Sequence, residues 1–558
     1  MIEYPLRHLS IRVPWHDAGW AGVVCNAPSL NGACVKLKRI SEAKNEQEEL
    51  PIAGKSLDEI PREQWPCCVE ERATFMAPFE MELLKHHALA ETSPRHYGHF
   101  KPTPLWYPAY SVGIVPFRWM MVENLEYFAD ELGLDIDASR EPDLGYHTNW
   151  VHEVRNQSAL LDSFAAHLRC EDSLSFFYAK HVPFVEATNR ILIGVGRIKE
   201  IGTLTEYARG GEGMRGMIWE RPVQHSIRSK GQDGFLMPYQ EVLRLAEEDP
   251  SLDMELYTAY APAEQWDEFS YASELVTHDG AISALLSMDD VLNRMEKDLG
   301  IATGWQRQWL HDELVRLWKV RGPFPGLGAV LRSFGLSRGL FIAHALQEHV
   351  GDNADPWPEV NAAFCDPSIL PKELRLDLKE LASTWAGLPE HRRSLLRLLS
   401  RFELRVEQAQ YLYDEASRRE VRWGAKDHEL LQNPYRIYEI SRHDPEGIHF
   451  LTIDRGVFPE DTVRLLHPLE APSKLDSAVD IRRIRAFAIA ALEEAADLGH
   501  TLHFTGSLAQ AIREMVVRPE CPVTADILSA GVREMAPEVV AVEMNGEIAI
   551  QLGRYREI

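Results

Sequence analysis

With 558 residues, 45% of them apolar and 26% charged, the chain is long enough for several domains and has the composition of an ordinary globular protein. A formal net charge of −26 counts against a surface that coats nucleic acid broadly, but not against a local basic patch. No run of about 20 apolar residues suggests a membrane span. The segment Met1-Ile2-Glu3-Tyr4-Pro5-Leu6-Arg7-His8 lacks the apolar stretch of a secretion signal. Seven unevenly spread cysteines suit a reducing cytoplasm better than a disulfide framework.

Residues 1–125 read as a Cys/His-rich domain. Cys25, Cys34 and Cys67, with His16, form a set of soft ligands suited to structural zinc or to an iron–sulfur cluster, and Cys68 is a further candidate. The plainer reading makes the same cysteines small hydrophobes of the core. His86, His87, His96 and His99, with Glu80 and Glu82 just upstream, are a second group able to hold metal or shuttle protons, or simply exposed polar residues. The charged stretch Ile40–Glu63, punctuated by Pro and Gly, is expected to be a loop.

Residues 126–245 read as a mixed α/β domain. Ser175-Phe176-Phe177-Tyr178-Ala179-Lys180-His181 and Arg190-Ile191-Leu192-Ile193-Gly194-Val195-Gly196-Arg197-Ile198 predict two strands joined by a polar loop. Gly194 and Gly196 are not a dinucleotide fingerprint, because no third glycine follows at the required spacing. The two-strand pattern resembles the EVE and other PUA-like β-barrels, which hold nucleobases, and Trp219–Arg228 would extend the same domain. The acidic stretch Ala246–Glu264 is the expected boundary between the halves.

The second half should be mostly helical, in domains 280–425 and 426–558, which makes the whole chain α+β. Apolar residues recur at helical spacing at Leu310, Leu314, Leu317 and Trp318, and again at Leu395, Leu396, Leu398 and Leu399. Between them Arg321-Gly322-Pro323-Phe324-Pro325-Gly326-Leu327-Gly328 predicts a tight turn, and Ala329-Val330-Leu331 opens the next helix. This resembles a helix-hairpin-helix, whose exposed backbone N–H groups face a phosphate. Pro325, Gly326, Leu327 and Gly328, flanked by Arg321 and Arg332, are then DNA-binding candidates. The alternative is an ordinary helix connection. Two arginine rows, at 392, 393, 397, 401 and 405 and at 482, 483 and 485, are either solvated helix faces or phosphate contacts.

Leu430-Leu431-Gln432-Asn433-Pro434-Tyr435-Arg436 and the run from Ile481 to Thr501 resemble the region that precedes the motor in RecD-like helicases, the exodeoxyribonuclease V alpha-subunit family. The second hairpin of that family is replaced here by Ser441–Gly447, which departs from the pattern. The resemblance implies DNA contacts from Arg436 and Arg485 and a strand at Glu547–Leu552 leading toward an ATPase. No Walker loop exists: at the only Gly-Lys-Ser, Gly54-Lys55-Ser56, the position required to be glycine is Glu49. The expectation is therefore a DNA-engaging accessory region without its own ATP site or catalytic residues. It would act with a helicase motor or nuclease subunit, in cis or in trans, in DNA processing or anti-phage defence. The rivals are a metal-dependent nuclease centred on the Cys/His-rich half and a protein-binding scaffold, which the acidic charge favours.

Overall fold

The computed structural model describes residues 3–556 except 14, 16–23, 25–49, 57–58, 62–63, 65–73, 181, 183, 186–189, 208–215, 229–232 and 545. The chain is α+β, and it separates into two units, Tyr4–Leu317 and Trp318–Ile558, with Glu3 falling in the second. Apart from Glu3, the described residues of 1–125 and 126–245 share the first unit. The boundary between units falls inside a single helix.

The strands of the first unit are β1 (His8–Arg12), β2 (Met81–Lys85), β3 (Thr103–Tyr107), β4 (Ser111–Ile114), β5 (Leu174–Ala179), β6 (Ile191–Ile201), β7 (Arg221–His225), β8 (Gly234–Leu236) and β9 (Ser273–Val276). Six of them lie side by side in the order β4-β7-β6-β5-β1-β9 and curl into a half-barrel; β8 adds to β6, and β2 and β3 form a separate hairpin. The two strands expected around Ser175 and Arg190 are β5 and β6, and Trp219–Arg228 supplies β7. All six residues of β5 and the first six of β6 are buried, so these strands are covered on both faces and read as continuous apolar runs.

Strand direction positions the site. β1 runs parallel to β5, while β6 is antiparallel to β5 and β9 antiparallel to β1. The C-terminal ends of β1 and β5 therefore meet the N-terminal ends of β6 and β9 at one end of the sheet. After β9 the helix His278–Leu299 (α1) starts at once, capped by the Thr277 side chain, which accepts from the Gly280 N–H. Ala281, Leu285, Met288, Leu292 and Met295 give it a fully buried stripe at helical spacing.

The helix Gly304–Arg321 (α2) crosses the unit boundary. The second unit continues with Leu327–Phe334 (α3), Gly339–Val350 (α4), Glu390–Leu399 (α5) and Ile481–Asp497 (α6), among further short helices. The predicted leucines 395, 396, 398 and 399 of α5 are all buried. A small sheet closes the unit: β10 (His503–Phe504), β11 (Val539–Met544) and β12 (Glu547–Leu552), in the order β10-β12-β11. Among the described residues no helix is long and apolar enough to cross a membrane.

Candidate functional site

The Pro-Gly-Leu-Gly turn does join α2 to α3, but it is turned into the protein. Gly326 N–H donates to Ser400 O at 2.9 Å. A Cβ on Gly326 would stand 1.9 Å from Phe402 O, and one on Gly328 would stand 2.9 Å from Leu340 Cα. Leu327 is buried and Pro325 half-buried. Arg321, only 2% exposed, donates to the carbonyls of Gly322 and Arg401, and Arg332 donates to Ser337 O. The glycines are thus required for close backbone packing. Phe402 and Leu340 account for both glycines without a phosphate.

The other predicted arginines are also engaged within the second unit. Arg485 grips Glu439 with two bonds of 2.6 and 2.9 Å, and Arg436 pairs with Glu439 and Glu538. The side chain of Glu439 is fully buried, so Arg436 and Arg485 do converge, but on a carboxylate. Arg392 pairs with Asp427, Arg397 with Asp355 and Arg405 with Glu446, while Arg401 donates to the carbonyls of Gly456 and His467. Arg483 is held by Asp454 and Arg482 by Asp480.

The expected metal ligands Cys25, Cys34, Cys67 and His16, with Cys68, lie outside the described residues. Of the histidine group, His86 and His99 are exposed, as are Glu80 and Glu82. His87 is 5% exposed and stacks on Tyr97. Its Nδ1 accepts from the Leu89 N–H at 3.2 Å, so the neutral ring carries its proton on Nε2. The Tyr97 hydroxyl pairs with His152 Nδ1 at 2.9 Å. Burial, reinforced by neighbouring histidines, lowers the pKa of both His87 and His152 to about 4. Among the described residues, the one group of metal-type ligand atoms lying within 4.8 Å of one another is Glu3, His344 and Glu348, which includes none of the residues expected to bind metal.

The polar cluster with the strongest claim to a ligand lies at the end of the sheet where four strands meet. Arg12 ends β1 directly across from Tyr178, so the two side chains share a face. Lys180, two residues beyond Tyr178, returns to that face. Arg190 precedes β6, and its carbonyl accepts from the Ala261 N–H at 2.8 Å. Burial, then the guanidinium groups of Arg12 and Arg190, lower the Lys180 pKa; burial lowers that of Arg190. Arg190 is 6% exposed, and its Nε and Nη1 meet no hydrogen-bonding partner among the described residues. Its guanidinium lies over the ring of Trp266. Trp266 and Tyr271, 50% and 46% exposed, belong to the stretch that leads into β9. The Tyr178 hydroxyl anchors that stretch by donating to the carbonyls of Ser270 and Tyr271.

Glu274 lies on β9 opposite Ser10, is 4% exposed, and has an Oε1 that meets no partner among the described residues. Burial raises its pKa to about 8; the charge of Arg118 opposes the rise and Asp267 adds to it. Asp267 is also within electrostatic reach of Arg190. A buried cation and a buried acid with hydrogen-bonding atoms unpaired among the described residues are unfavourable for stability, which makes each a candidate for a functional role. The Arg190 guanidinium suits an anion, and the exposed rings of Trp266 and Tyr271 suit a planar partner.

In the sequence Arg190 stands only as the first residue of an expected strand, and Glu274 carries no expected role. The available signal was a charged residue inside an otherwise apolar strand, but strand register alone decides that two such charges come to one end of a sheet. No family model, curated protein or solved structure matches this chain.

Proposed function

We propose that this chain engages nucleic acid as an accessory to a helicase-type motor, in cis or in trans, and that it holds the phosphate backbone at the basic end of the seven-stranded sheet. The observation that carries this reading is Arg190, a nearly buried cation whose Nε and Nη1 meet no partner among the described residues, near Arg12 and Lys180 in a chain of net charge −26. Arg12 and Lys180 add positive charge close to Arg190, and this gathering of cations in so acidic a protein suits an anionic ligand. Trp266 and Tyr271 add ring faces on which bases stack without regard to sequence. Single-stranded or forked DNA is therefore the preferred partner, since its bases are free to stack. The motor is inferred from the RecD-like pattern at Asn433–Arg436 and Ile481–Thr501.

The test is binding to single-stranded, forked and duplex oligonucleotides across a salt series. Arg190→Ala and Lys180→Ala should each flatten the dependence of log affinity on log salt by about one unit, irrespective of sequence. The proposal fails if the folded protein shows no salt-dependent binding to any of the three substrates.

A further inference from the structure

We propose that Glu3, His344 and Glu348 form a site in the second unit for a divalent transition metal of the zinc class. The site is independent of the nucleic-acid reading.

α4 supplies two of the ligands. His344 and Glu348 stand four residues apart, so their side chains leave the same face of the helix one turn apart. The helix itself is held by Phe341, Ile342 and Leu346, all buried. Ligands on a packed helix keep their geometry better than ligands on a loop. Glu3 reaches the pair from the start of the chain and belongs to the same unit. One ligand atom from each of the three residues lies within 4.8 Å of the other two. His344 Nε2 and Glu348 Oε1 are 3.8 Å apart, which is too long for a hydrogen bond. Two ligands of a tetrahedral zinc stand about 3.4 Å apart. The Glu348 side chain, 50% exposed, has room to close the difference.

The charges favour a cation between these side chains. Among the described residues Glu348 has no Lys or Arg partner, and its one ion pair is with His344. Glu3 and Glu348 bring two like charges within 4.8 Å of each other, which is unfavourable unless positive charge lies between them. A protonated His344 supplies one charge. A divalent ion supplies two and binds the imidazole in its neutral form. The donor set selects the ion: an imidazole nitrogen suits zinc and its first-row neighbours, whereas magnesium and calcium prefer shells of oxygen. His344 is the anchor, since its side chain is 13% exposed. Three protein ligands leave a fourth position open to water, unlike a closed structural site. Bound there, the ion fastens Glu3 to α4.

The test titrates the full chain, stripped with a chelator, with cobalt(II). Its visible bands report a shell of nitrogen and oxygen, and binding through cysteine adds a strong thiolate charge-transfer band in the near ultraviolet. About one equivalent should bind without that band, and zinc should displace it. Glu3→Gln and Glu348→Gln, both at exposed positions, should each weaken this binding by more than about tenfold, and His344→Ala should abolish it. Zinc should raise the melting temperature of the unaltered chain more than that of Glu348→Gln. Should His344→Ala not fold, the two glutamine variants decide. Uptake that both of them leave unchanged overturns the site. So does the absence of any uptake free of the thiolate band, and the triad is then an imidazolium held between two carboxylates.

Discussion

His87 lies flat on Tyr97, with ring centroids 4.1 Å apart and planes 14° from parallel, while the Tyr97 hydroxyl pairs with His152. Two imidazoles thus share one phenol, one through its face and the other through its oxygen. Phe100 and Tyr207 also pack against His87, and its Nε2 meets no partner among the described residues. Protonating either imidazole puts a charge into a desolvated aromatic enclosure.

The first prediction is acid sensitivity of the first unit. His87 and His152 are held at about 4, below the ordinary histidine value, so the unfolded chain binds protons that the folded one refuses. Stability should be fully present above about pH 6.5 and fall as the pH drops toward 4, by about 2 kcal/mol per histidine between pH 7 and 5. Denaturant melts of His152→Gln should show a shallower fall over that window. A slope equal to that of the unaltered protein would remove His152 from the account.

Glu274 acts in the opposite direction over a different window. Its folded pKa is raised to about 8, so the folded state holds a proton that the unfolded chain has released. This lowers stability progressively from about pH 4.5 to 8. Between pH 6.5 and 8 the unfolded chain loses its remaining protons at His87 and His152, which raises stability, so the decline there belongs to Glu274 among these groups. Glu274→Gln should flatten it and raise stability near pH 8 by about 2–3 kcal/mol. Melting curves at pH 6.5 and 8 for the two proteins check this.

Gly326 distinguishes packing from phosphate binding at the hairpin. The Cβ of Gly326→Ala would meet Phe402 O at 1.9 Å, so backbone must shift. A loss of about 2–3 kcal/mol is expected, with any fall in DNA affinity tracking the unfolded fraction. A stable variant with reduced affinity would assign phosphate binding to the turn.

Arg483 tests how the second unit is held together. Its side chain is fully buried, donates to both carboxylate oxygens of Asp454 at 2.7 and 2.9 Å, and adds bonds to the carbonyls of Ala478, Pro519 and Glu520; Tyr435 donates to the same carboxylate. Asp454→Ala strands this cation and should destabilise by about 3–5 kcal/mol. Adding Arg483→Met should recover much of the loss, read as a coupling energy in a double-mutant cycle. Strict additivity of the two changes would show that the pair is not coupled.

The class of each half was legible in the sequence, because it depends on local periodicity. The aromatic run Leu174–Ala179 reads as a strand, and the structure buries all six of its residues. Leu395, Leu396, Leu398 and Leu399 read as one side of a helix, and all four are buried there. The turn at Gly326 was legible too, since Pro and Gly act within a few residues of themselves. What those elements meet was not. Arg392, Arg401, Arg436 and Arg485 look alike along the chain whether they face phosphate or a carboxylate. Their partners, Asp427, the Gly456 carbonyl, Glu439 and Glu538, stand as many as 102 residues away. Arg190 and Glu274 come to one end of the sheet only because β1 runs parallel to β5 while β6 and β9 run against them. Hydrophobic pattern determines which residues are buried, but strand direction and register, settled by packing over the whole unit, determine which buried charges become neighbours.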